Sequence, residues 1–198
     1  MGFKVKDHYF NKAKKDNYLA RSIYKLEEID KKYKVLKKND VVLDLGYYPG
    51  SWIQYTAKKV GLNGAVVGID IKEVNTKLES ISNVSVYQKD INDVKNLEEL
   101  GVNHKFDAIV SDMAPNTTGI KSVDQLRSLQ LVEMVFYHLP SFLKEGGNFV
   151  IKVFDSNDAQ VFLKENKHRF SRFQYLKPKS TRSVSKEFFV IGLGYTNE

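Results

Sequence analysis

One lysine stands inside an apolar run, VIKVF at 150–154, where every side chain should be buried. Buried lysines are rare unless they are paired. Burial disfavours the charged amine and neighbouring carboxylates favour it, so Lys152 is a candidate for holding or releasing a proton. Asp112 closes another apolar run, FDAIVSD at 106–112, and is the nearest candidate partner. A second reading of Lys152 stands beside this one: a lysine near a strand end that reaches solvent along its aliphatic stem.

Polar or glycine residues end four further runs. VVLDLG at 41–46 leads into Gly46-Tyr47-Tyr48-Pro49-Gly50-Ser51-Trp52, AVVGID ends at Asp70, VSVYQ is followed by Asp90, and the fourth run ends at Asp112. Glycines after a first strand let backbone N–H groups approach a ligand closely, because they carry no Cβ. Only Gly46 and Gly50 are present and Pro49 interrupts them, so this is not the G-x-G-x-x-G dinucleotide fingerprint. The pattern speaks against a pyrophosphate cradle and a nicotinamide dehydrogenase, and for a cofactor without phosphates. Asp70 is placed either to accept hydrogen bonds from two ribose hydroxyls or to cap the segment that follows it. Asp90 can likewise cap a helix starting near Asn92, and Trp52 reads as either core packing or a cofactor wall.

These positions need a scaffold, and the hydrophobic pattern supplies one. Six short β-branched runs, at 41–46, 65–71, 84–88, 106–112, 148–154 and 187–193, read as strands buried on both faces, as in a parallel sheet. Helical spacing predicts helices over 52–60, 92–100, 122–143 and 157–168, with a further one near 19–34 carrying Ile23, Leu26, Ile29 and Tyr33 on one face. Gly146-Gly147 is expected to break the chain before the fifth strand. The alternation predicts a doubly wound α/β domain spanning 1–198, with ligands bound beyond the carboxyl ends of its strands.

Charge adds a partner class. The net +7 resides in residues 1–38, and a second basic stretch, 164–186, carries eight Lys/Arg against Glu165 alone, whereas 39–163 is acidic on balance. Two basic flanks around an acidic centre suit a polyanion held beside a different ligand, although Lys-rich flanks are also ordinary solvated surface. Cysteine is absent, which excludes disulfides and thiolate metal sites. No apolar run approaches the roughly 20 residues that cross a bilayer. The opening MGFKVKDHYF has no apolar signal core. The expectation is a monomer without metal or membrane, intracellular, either cytoplasmic or organellar (mitochondrial).

The chain resembles the FtsJ-type (RrmJ-like) RNA ribose 2′-O-methyltransferases from about Asp7 to Tyr195. The blocks that carry the likeness are NYLARSIYKLEEID, VVLDLGYYPGSWIQ, VVGIDI, SDMAPNTTGIKSVD with LRSLQLVE, GGNFVIKVF and KPKSTRSVSKEFFVIGLGY. The resemblance implies a Rossmann-like fold with a mostly parallel seven-stranded sheet, one strand antiparallel and helices on both faces. It implies S-adenosylmethionine as cofactor, bound by Gly46, Pro49, Gly50, Trp52, Asp70, Asp90 and Asp112. It implies a Lys-Asp-Lys-Glu catalytic set at Lys25, Asp112, Lys152 and Glu187, and RNA as partner, with Arg21, Lys177, Lys179 and Arg182 placed to hold its phosphates. If the last strand runs antiparallel, Glu187 begins it at the edge where the parallel strands end and can face Lys152.

The block SDMAPNTTG with SVD and LVE is similar to the branch acting on large-subunit ribosomal RNA. Alternatives are a tRNA or mRNA-cap enzyme and a non-catalytic RNA-binding ribosome-assembly factor. One departure bears on the cofactor loop. Tyr47 and Tyr48 stand where the family carries small residues, and Ser51 where it often has glycine, so two rings must point away from the donor or reshape its site.

Overall fold

The β-branched runs do become the middle of a sheet. In the computed structural model, which describes residues 8–182 and 184–197, β1 (Val41–Leu45), β2 (Ala65–Asp70), β3 (Val84–Gln88), β4 (Phe106–Ser111) and β5 (Leu143–Phe154) pair in parallel. β7 (Glu187–Tyr195) pairs antiparallel with both β5 and β6 (Phe170–Leu176), giving the order β3-β2-β1-β4-β5-β7-β6. β7 is thus the single reversed strand in seven, as expected. β6 has no counterpart among the six runs. Its sequence FSRFQYL mixes rings with polar residues in no regular order and is mostly exposed or half-buried, as at a sheet edge.

Two helical layers cover the sheet. α2 (Ile23–Tyr33) and α3 (Ser51–Val60) lie on one face, where Leu26, Ile29, Ile53 and Val60 pack against Val42, Val66 and Ile191. α4 (Lys121–Phe142) and α5 (Asn157–Asn166) cover the other, where Val132, Phe136, Leu139 and Leu163 meet Leu43, Ile109 and Phe149. Asp30 is fully buried within α2, and Tyr55, Lys59 and the Leu36 N–H bond its carboxylate, so the buried charge is paired. A short α1 (His8–Lys15) precedes α2; the remainder of the N-terminal segment, residues 1–7, lies outside the described residues.

Three local expectations change. The helix expected over 92–100 is two 3-10 turns, Ile91–Asp93 and Leu97–Leu100. The Asp90 and Asn96 side chains accept the first free N–H groups and start a new turn each time, so no continuous helix propagates. The helix expected from about residue 19 begins at Ile23. β5 starts at Leu143, ahead of Gly146-Gly147, so the glycine pair lies inside the strand, with Gly146 at φ 75°.

The sheet order reverses between β1 and β4, the point where the chain leaves the sheet in opposite directions and opens a crevice. Gly46 follows one of these strands and Asp112 the other.

Candidate active site

The crevice is walled by Ser22, Asp44, Tyr47, Tyr48, Pro49, Ser51 and Trp52 together with Gly46 and Asp112. Gly46 adopts φ 71°, and a Cβ there would lie 2.2 Å from Met113 Cγ. Gly50 adopts φ 113°, and its Cβ would meet Leu78. Both glycines are therefore required by conformation and by space. The tyrosines resolve the departure seen in the sequence. Tyr47 turns inward, 3% exposed, and packs against Gly68 under the sheet, while Tyr48 turns outward with Lys72 over its ring. Both residues remain part of the crevice wall. The enclosed part is small, about 30 Å³, so a nucleoside-sized ligand must lie along the open rim toward the end of β2.

Asp70 closes that rim. Its carboxylate accepts from Tyr48 N at 3.0 Å and from Lys72 N at 2.9 Å, which fixes it at the strand end with lone pairs left over. The helix it might have capped is absent: only Thr76–Leu78 forms a 3-10 turn, capped by Asn75. Asp90 caps the next turn, accepting from Asn92 N at 2.9 Å, and is not part of the crevice wall. Trp52 serves as packing at the base of the wall. Its ring lies 5.8 Å from Phe189, and its indole N–H donates to Ser22 O.

Beyond the crevice the Lys-Asp-Lys-Glu set comes together from four elements. Lys152, on β5, donates to the Asp112 backbone oxygen at 2.6 Å, and its ammonium lies 3.0 Å from Asp112 Oδ1. The second contact lacks hydrogen-bond alignment, so that buried oxygen keeps an unused lone pair. Lys25, on α2, donates to Glu187 Oε1 at 2.5 Å. Burial pushes the Glu187 carboxyl upward, but the charge and hydrogen bond of Lys25, with Lys152 and Ser185, hold it below the usual carboxylate range. Antiparallel pairing sets Glu187 opposite Phe154 and Phe189 opposite Lys152, so Glu187 stands diagonal to Lys152 rather than directly across from it, near enough for the lysine charge to act on it.

Two contributors were missed as site residues in the sequence. Asp44, 1% exposed, lines the crevice, and its Oδ2 is buried without a hydrogen-bond partner. Burial pushes its carboxyl well above the usual range, and Asp112 and Asp70 add to the push. The signal was available: VVLDLG carries a charge inside an apolar run just as VIKVF does. Phe189 is fully buried beneath Lys25, whose ammonium lies 5.8 Å from the ring centre, and it gave no signal beyond being apolar.

The basic residues gather beside this set. Glu28, on α2, accepts from Lys179 N at 2.7 Å and Ser180 N at 2.9 Å, and Arg21 donates to Ser180 O. Lys177 donates to Ser185 O at 2.6 Å. The bonds to Glu28 and Arg21 fasten Lys179 and Ser180 to α2 and the residues just before it, and Arg21 lies close enough to feel the charge of Arg182. Lys177, Lys179 and Arg182 remain exposed, on the approach to Glu187.

A reversed seventh strand in a 3-2-1-4-5-7-6 sheet, with a glycine loop at the switch point, defines a Rossmann-like methyltransferase. The chain belongs to the FtsJ-like methyltransferase family, whose model matches residues 18–195. It is 46% identical to ribosomal RNA large subunit methyltransferase E of Bdellovibrio bacteriovorus, over 98% of both chains. It is 44% identical to the protein of the same name from Syntrophobacter fumaroxidans, again over 98% of both. Among solved structures, Aeropyrum pernix fibrillarin, which holds natively bound S-adenosylmethionine, is similar with a TM-score of 0.61. At 14% identity, over 87% of this chain and 76% of that one, this shows the fold.

Proposed function

We propose that this protein methylates a ribose 2′-hydroxyl of large-subunit ribosomal RNA, using S-adenosylmethionine. One observation carries the reading: Lys152 is held against Asp112, and within the field of Glu187, at the strand edge directly beside the glycine crevice. The names of the full-length relatives support the substrate.

The crevice residues fit the donor. Two carboxylates at the crevice, Asp44 with its unpartnered Oδ2 and Asp112 beside Lys152, suit a ligand that is cationic, and Asp70 is fixed where a ribose would end. When bound, the donor supplies an electrophilic methyl group on a positively charged sulfur. The protein's own work is positioning and proton handling. A 2′-hydroxyl is a weak nucleophile and must lose its proton as it reacts. Lys152 Nζ orients the hydroxyl and accepts or steers its proton, with Asp112 and Glu187 beside it to stabilise the charge that forms. Lys25 holds Glu187 ionised and aligns the ribose or its phosphate. Arg21, Lys177, Lys179 and Arg182 hold the backbone on either side.

The test is methyl incorporation into large ribosomal subunits from cells lacking the protein, followed by mapping of 2′-O-methyl groups. The expected result is one ribose that regains its methyl group with the purified protein. Donor binding with no methyl group transferred to any RNA would make the chain a binding module and overturn the reading.

A further inference from the structure

A second cavity opens on the far side of Glu187 from the glycine crevice. It measures about 170 Å³ and is lined by Phe154, Asp155, Gln125, Lys121, Lys186 and Glu187. That is several times the roughly 30 Å³ a water occupies in the liquid and well below the roughly 300–1,000 Å³ of a pocket for a whole drug-sized ligand. One planar ring system fits such a space.

The geometry points to a pocket for the nucleobase of the nucleotide whose ribose is methylated. Glu187 belongs to both the catalytic cluster and this cavity, so a ribose placed over Lys152 and Glu187 has this cavity within reach of its base. The glycine crevice is the donor's; the second cavity is free for the base. Phe154 lies two residues along β5 from Lys152, about 6.6 Å at the usual rise of a strand, and on the same face of the sheet. It is half-buried and lines the cavity. Single-stranded RNA is recognised in this manner, with bases unstacked and laid on aromatic side chains.

The polar lining can read a base edge. Gln125 donates one amide N–H to the Asp155 carbonyl at 2.5 Å, which fixes the amide and leaves its second N–H and its Oε1 to meet a base edge. The Lys121 and Lys186 side chains are exposed at the mouth and can donate. Asp124, at the same wall, is already engaged by Thr118 and Gly119 and takes no part in reading.

This inference rests on the ribose-methylation reading, and the test separates the two. A ribosomal RNA hairpin carrying the mapped acceptor nucleotide is compared with the same hairpin lacking only that base, its 2′-hydroxyl retained. Binding and kcat/KM are measured for wild type, Phe154→Ala and Phe154→Leu, the last keeping apolar volume without a ring. Loss of the base should cost wild type at least about tenfold, in line with base–aromatic stacking. Both variants should be slowed on the intact hairpin by a similar factor, and should then be indifferent to the missing base. Losses that multiply, with the variants as sensitive to base removal as wild type, overturn the pocket. Base-dependent binding that Phe154 substitution abolishes, with no methyl transfer by any form, keeps the pocket and overturns the methylation reading instead.

Discussion

Lys152 and Asp44 are both charged residues set into apolar strands, and they are held in opposite ways. Lys152 is 8% exposed but paired with Asp112, so removing it strips the proton acceptor and leaves the donor crevice standing. Lys152→Ala should lower methyl transfer by about 10²–10⁴-fold while changing donor affinity little, as read by single-turnover kinetics beside calorimetry. Asp44 has no such partner on Oδ2. Its carboxyl is raised in the folded state, so stability is lost as pH climbs above the ordinary aspartate value of about 3.9, until the folded group has ionised. Asp44→Asn should therefore stabilise the protein by on the order of 1 kcal/mol at neutral pH, flatten that pH dependence, and weaken donor binding. Thermal melts across pH together with donor titrations check all three; a destabilised variant would show that the carboxylate is structural. Glu187 runs with the other sign. Its value is depressed, so its contribution is complete above about pH 4.3 and is lost as pH falls through the lower folded value. Glu187→Gln should remove that part of the acid limb in urea titrations.

At the scale of elements, what the sequence reveals divides by how each signal arises. Strands buried on both faces announce themselves as β-branched runs, and five of the six such runs became the parallel centre that carries Gly46, Asp70, Asp112 and Lys152. Pairing between distant elements leaves no such trace. Lys25 looks like any charge on a helix until α2 packs beside β7, and Glu187 like a strand-end charge until the strand is reversed. The resemblance to a known family, rather than periodicity, is what singled them out. The edge strand β6 and the paired 3-10 turns after Asp90 were missed because an irregular mix of rings and polar residues, and local capping, give weak or contrary signals. The loop after β1 is the element most sensitive to a small change. Gly46→Ala would force a side chain into the left-handed region and against Met113, at a cost of about 1–3 kcal/mol. The loop should shift to relieve it, and donor affinity should fall more steeply than melting temperature. Equal donor affinity in the alanine variant would mean that the loop does not form the crevice in solution.

Over the whole molecule, charge and sheet topology place the two ligands on different surfaces. The acidic centre of the chain surrounds the glycine crevice with Asp44, Asp70 and Asp112, while the basic flanks meet where Lys179 and Ser180 are fastened to α2 and the residues just before it through Glu28 and Arg21. A cationic small molecule and a polyanion are thus drawn to adjacent sites of opposite sign, with Lys152 and Glu187 between them. The two affinities should therefore answer differently to salt. If Arg21, Lys177, Lys179 and Arg182 each hold one phosphate, as proposed, log K against log salt should have a slope of about −3 for single-stranded RNA, and donor binding should change little over the same range. Lys177→Ala and Lys179→Ala should each reduce the slope by about 0.7, by the same amount on any RNA sequence. Glu28→Ala should act from a distance: it leaves every positive charge in place but frees the segment that presents them, so RNA affinity falls while the mutant's own charge change favours binding. An affinity that rises in Glu28→Ala would mean that charge alone, and not the fastening of the segment to α2, sets how the RNA is held.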